Sequence, residues 1–142
     1  INPFVPKPWT PFQWAAMTLP GVLEQRIRIV EAGLKKKPNV VVRVESVRTA
    51  TTQAFLSRGD RRIAAAIARA AGRQGRWPGV FKKEGIDPAF YIHRERDLAE
   101  IFPWDVTDHG IAPAILKKIF LKSMACGRID PTETASNGME PE

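Results

Sequence analysis

A single cysteine, Cys126, stands in a chain of 142 residues, and this excludes an internal disulfide. With two histidines, His93 and His109, the chain also lacks the spacings of a zinc site or an Fe–S ligand set, so no metal-binding residue is assigned. No apolar run approaches the ~18 residues that a membrane-spanning helix needs. The basic, apolar and small-residue pattern of a signal peptide is missing too. One thiol and no export signal point to a reducing cytosol. There is no glycine-rich phosphate loop, no defensible Ser/His/Asp arrangement and no redox pair. No catalytic residue is therefore assigned, and an autonomous enzyme is disfavoured. The chain begins with Ile1 rather than Met, which leads us to expect an excised or cleaved segment.

What is present suits one globular domain. Hydrophobic residues make up 44% of the chain and charged residues 26%. The formal charge is +7, with basic residues concentrated at Lys35-Lys36-Lys37 and between Arg58 and Lys83. Such a balance permits phosphate-rich partners. No stacking-aromatic motif for nucleic acid accompanies it, so an ordinary solvated face is favoured over RNA binding. A basic binding module for RNA or another phosphate-rich partner is the alternative reading.

The stretch NPFVPKPWTPFQW, residues 2–14, alternates prolines with aromatics and cannot be helical. A polyproline ligand for another protein's groove is one reading. Its two tryptophans and two phenylalanines each carry roughly 150–250 Å² of surface when buried, too much to leave in water. The spacing therefore predicts a rigid, packed loop.

Residues 1–5 read as a short strand, and Thr18 and Pro20 as the start of a helix. Leu19, Val22, Leu23, Ile27, Val30 and Leu34 give that helix one buried face, with Glu24 in its first turn and the three lysines in its last. The β-branched VVVRVESV, residues 40–47, reads as a second strand. Strand, helix, strand suggests a right-handed crossover with parallel strands. A helix over TATTQAFLS is expected to end at a left-handed Gly59, and Asp60 to cap the next helix as far as Gly72. Residues 72–79 read as a loop, with short helices at 80–84 and 87–99. Asp108 is expected to cap a last helix over 111–125, with Ile111, Ile115, Ile119 and Phe120 inward. The expected fold is α+β and helix-dominated. Residues 1–47 form the strand–helix–strand unit, 48–126 a helical region and 127–142 a disordered tail.

In LSRGDRR, residues 56–62, the glycine and aspartate read as helix stop and start. Arg58, Arg61 and Arg62 around that helix start either make an anion site or brace the fold through carboxylates. Asp108 reads as a cap, His109 and His93 as surface residues. Cys126 has no activating group beyond Arg128 and is not read as a nucleophile.

Three segments, PFVPKPWTPFQW (3–14), LSRGDRR (56–62) and PWDVTDHGI (103–111), resemble in order and spacing the C-terminal part of a family of radical SAM Fe–S oxidoreductases. Some members of that family also bind cobalamin. The likeness covers roughly residues 2–120, and Trp9 stands where the family pattern has histidine. It implies a parent enzyme that cleaves S-adenosylmethionine at a [4Fe–4S] cluster, with cobalamin use left open. The cluster's three cysteines would lie outside this chain, which would be inactive alone. Residues 1–5 would be the last strand of a partial TIM-like barrel, with Phe4 and Val5 against the adenosyl part of the cofactor. Lys7, Thr10 and Gln13 would face the substrate or anchor the loop. Relatives are expected to end in a cysteine-rich tail, whereas this chain has Cys126 alone. The expected partner is the rest of the parent chain. A bare edge at residues 1–5 would also favour self-association.

Overall fold

In the computed structural model, which describes residues 1–72, 77–108 and 110–126, Pro20 opens the first helix, α1 (Pro20–Leu34). Its missing N–H falls where no intrahelical partner exists, and Leu19 rather than Thr18 takes the N-cap position. α1 stops before the three lysines, so these cations lie in the turns beyond it. Glu24 sits past the first turn, and neither end of α1 carries the expected dipole-matching charge.

α2 (Val47–Arg58) starts two residues earlier than expected and buries Val47, Ala50, Ala54, Phe55 and Arg58, one face of the helix at three- and four-residue steps. Gly59 then ends α2 with φ −72°, an extended conformation rather than the expected left-handed one. Its glycine is required for a different reason: a Cβ there would collide with the Ile63 side chain and lie 3.2 Å from the Phe55 carbonyl. Asp60 caps the next element as expected, its carboxylate accepting the Arg62 N–H at 2.8 Å. A 3-10 turn (Arg61–Ile63) leads into α3 (Ala64–Ala71), whose Ala66 and Ala70 face Val80 of α4 (Trp77–Glu84). α4 begins earlier than the expected 80–84, and residues 73–76 of the expected loop lie outside the described residues. Asp87 caps the short α5 (Pro88–Ile92), and α6 (Pro113–Cys126) closes the described chain. Asp108 does not cap α6; its carboxylate accepts the Gly110 N–H at 2.8 Å, while His109 and the expected tail fall outside the described residues.

The core forms where α2, α5 and the opening loop meet. Met17, Ala50, Ala54, Phe55, Ile63, Tyr91 and Ile92 make its centre. The Phe55 ring lies 5.6 Å from Trp77, 4.8 Å from Phe81 and 5.6 Å from Tyr91, all edge-on. Truncating such a ring to alanine costs about 3–5 kcal/mol. A second cluster joins Trp14, Phe102 and Leu116.

The expected α+β class is corrected: among the described residues there is no strand. Residues 1–5 and 40–46 carry no regular secondary structure, and the backbone hydrogen bonds between them involve only Ile1. The Glu45 N–H donates to the Ile1 carbonyl at 3.0 Å, and the Ile1 amine donates to the Arg43 carbonyl. A ladder needs repeated pairing, and β-branched residues favour strands chiefly by packing on a pleated surface. Here Val41 is 84% exposed and has no such surface to lie on. The last helix is also corrected. Leu116 is buried and Phe120 packs beside it, whereas Ile111, Ile115 and Ile119 face outward.

Candidate functional site

The proline–aromatic loop is rigid because almost every part of it is tied down. Pro3 and Pro6 are buried, and the chain turns through the Gln13 N–H to Thr10 carbonyl (3.1 Å) and Ala15 N–H to Phe12 carbonyl (3.0 Å) bonds. Trp9 adopts φ +55°, a left-handed conformation uncommon for a non-glycine residue, while its amide donates to Gln13 Oε1 at 3.0 Å. The same Gln13 oxygen accepts the Trp104 indole N–H at 2.9 Å. Gln13 is 3% exposed, so both of its donors depend on it. It anchors the loop and is closed to any substrate. Thr10 is likewise internal to the loop, its hydroxyl donating to the Lys7 carbonyl at 2.8 Å.

Two buried arginines hold the loop's far end. Arg58 Nη1 donates to the Ala15 carbonyl at 2.7 Å, and the Arg96 N–H donates to the Trp14 carbonyl at 3.0 Å. The Arg96 guanidinium lies 5.4 Å from the ring centres of both Phe102 and Trp104, which stack at 4.7 Å. Burial, then the neighbouring Arg96 and Arg94, lower the Arg58 pKa to about 10. Glu100 offsets part of this charge through Arg94 (2.8 and 2.6 Å) and Arg96 (3.2 Å), and the Arg94 bond above all holds its carboxyl below the usual range. His93 is half-buried rather than fully on the surface: its Nδ1 bonds the Met17 carbonyl at 2.9 Å, which closes the clasp.

The three arginines of LSRGDRR therefore separate. Arg58 braces the loop from inside. Arg62 is exposed and pairs with Asp60 at 2.6 Å. Arg61 is exposed and lines a shallow recess together with Arg62, Asp60, Ile101, Phe102 and Pro103, so it is Arg58 that stands apart from the other two. They do not form one anion site. Phe4, expected against a cofactor, is 57% exposed and meets only the edge of Phe12 at 5.4 Å within the aromatic network. Val5 packs against the main core. Cys126 is a free, exposed thiol, and no group of three or more His, Cys, Asp or Glu among the described residues could hold a metal.

Lys7 is the one expected substrate-facing residue that reaches an open groove. A cavity of about 830 Å³ runs along α2, with Lys7 entering from the loop and Trp77 from α4. Arg48, Thr49, Thr52, Gln53 and Leu56 supply the α2 wall. Sequence reading passed over these α2 residues. Their signal was the polar repeat in RTATTQ at helical spacing, which puts Thr49, Thr52, Gln53 and Leu56 on one face.

No protein-family model matches this chain, and neither does any curated protein or solved structure.

Proposed function

We propose that this chain is the C-terminal portion of a radical SAM Fe–S oxidoreductase, serving as wall and lid to a site whose cluster is held elsewhere. The observation that carries the reading is an uncovered apolar flank. Leu19, Val22, Ile29 and Val30 fall within about a third of the α1 circumference and are 58%, 38%, 65% and 44% exposed. Phe4, Val40, Val41 and Val44, in segments 1–5 and 40–46, are exposed as well. Apolar side chains left exposed in this number, with Arg26 among them, suit a docking face. The rest of the parent enzyme is the partner that the motifs of residues 3–14, 56–62 and 103–111 suggest. In isolation the same flank favours pairing with a second copy.

The residues present do not fit the cluster itself. One thiol cannot supply a three-cysteine ligand set, so no step of the reaction is assigned to this chain. Phe4 and Val5 remain the residues for an adenosyl contact, and Lys7 for the substrate side. The exposed free thiol suits a cytosolic protein, and no helix among the described residues is long and apolar enough to cross a membrane.

The test is anaerobic reconstitution of the intact gene product with iron and sulfide, beside its Cys126→Ser variant. Both should carry the same iron and, supplied with dithionite as reductant, convert S-adenosylmethionine to methionine and 5′-deoxyadenosine. An intact product that takes up no cluster, or one that loses it on Cys126→Ser, would overturn the proposal. A second reading, a basic RNA-binding module, is favoured by Lys7 and Arg48 in one groove. It demands affinity that falls steeply with salt.

A further inference from the structure

The groove along α2 has the composition of a ligand site. Its volume of about 830 Å³ lies in the range of small-molecule pockets, ~300–1,000 Å³. Lys7 and Arg48 enter it from separate elements, and among the described residues no carboxylate lines it. Elsewhere Arg62, Arg69, Arg94 and Arg96 each find an Asp or Glu. Lys7, Arg48, Thr49 and Gln53 have no side-chain hydrogen bond or ion pair among the described residues. Thr52 donates its hydroxyl to the Arg48 carbonyl at 3.0 Å and keeps its oxygen lone pairs for the groove.

The rest of the lining is apolar and aromatic. Leu56 is 42% exposed, and Trp77 is held by Phe55 and Phe81 at 5.6 Å each. A ring fixed by two neighbours presents its surface at little entropy cost, which is what a stacking platform needs. From Arg48 to Leu56 the α2 face spans about 12 Å at 1.5 Å per residue. That length suits a single nucleotide and is short for a nucleic-acid strand.

We propose that this groove binds a small phosphate ester carrying a planar ring, of mononucleotide size. Arg48 and Lys7 meet the phosphate, Thr49 and Gln53 give hydrogen bonds, and Trp77 meets the ring. Two cations that form no ion pair among the described residues favour the dianionic phosphate over a neutral ligand. The site stands independently of the radical SAM reading.

Calorimetric titration of the 142-residue chain with adenosine monophosphate, ribose 5-phosphate, adenosine and a twelve-nucleotide RNA tests it. Saturable one-to-one binding of the monophosphate is expected, at least tenfold tighter than either half-molecule. Arg48→Glu and Lys7→Glu should each weaken it tenfold or more. Gln53→Trp fills the groove from an exposed position, away from the core, and should abolish binding with the thermal midpoint unchanged. Three results would overturn the proposal: no saturable binding of the monophosphate, binding indifferent to Arg48→Glu and Gln53→Trp, or RNA bound more tightly than the monophosphate through these same residues.

Discussion

Replacing Glu100 with glutamine tests the buried charge cluster that ties the opening loop to the body of the fold. Glu100 makes three charge-assisted bonds, to Arg94 at 2.8 and 2.6 Å and to Arg96 at 3.2 Å. Arg96 is 3% exposed at its side chain and Glu100 23%, so the pair is largely but not wholly out of water. Removing one partner of a fully buried pair costs about 3–5 kcal/mol, and partial exposure brings the expected cost to about 3 kcal/mol. For a domain of this size 1 kcal/mol moves the midpoint by about 4 °C, so Glu100→Gln should unfold about 12 °C below the parent at pH 7. The pH dependence follows from the sign of the shift. Arg94 holds the Glu100 carboxyl below its ordinary value, so its stabilisation is present above about pH 4.5 and lost as pH falls through the depressed folded value. Scanning calorimetry at pH 7 and pH 3 should therefore find a gap that narrows in acid. A midpoint change under ~3 °C at pH 7, or an equal gap at both pH values, would refute the cluster's assigned role.

Gln13→Leu leaves the Trp9 amide and the Trp104 indole without their buried acceptor and should cost about 2–3 kcal/mol. Gln13→Glu, which keeps an acceptor oxygen, should retain more stability in denaturant titration. Gly59→Ala forces a Cβ against Ile63 and should cost about 1–3 kcal/mol in the parent, and less when made on an Ile63→Ala background. Arg58→Ala should cost at least ~2 kcal/mol by thermal melting, whereas Arg61→Ala, on the surface, should stay within ~0.5 kcal/mol. Equal effects of the two arginine variants would contradict the division of labour described for them.

The helices were legible where local chemistry decided them. Pro20 at a first helical position and Asp60 as a cap are short-range signals, and each marks a real boundary. The apolar spacing of α1 found the helix but not its expected buried face: Ile27 is buried, while Leu19, Val22 and Val30 are exposed. The packed state of the opening loop was legible from the area of its rings. The strands were misread because Val40 to Val44 carry β propensity with no sheet to satisfy it. The α6 face was misread because an apolar periodicity names a stripe without saying whether anything covers it. Ile111, Ile115 and Ile119 form such a stripe on the outside. Of the expected site residues, Lys7 reaches a groove and Gln13 does not, because Gln13's partner Trp104 is distant in the sequence. Arg58 turned inward for a similar reason. Its acceptor, the Ala15 carbonyl, belongs to a loop that no local rule could place.

On the proposed reading, α1 and segments 1–5 and 40–46 are covered by the rest of a larger enzyme. Amide hydrogen exchange, compared between the intact gene product and the isolated 142-residue chain, reads this directly. Residues 1–5, 20–34 and 40–46 should exchange at least tenfold more slowly in the intact protein, while α3 and α4 exchange alike in both. Equal exchange of that flank in the two forms would contradict the account.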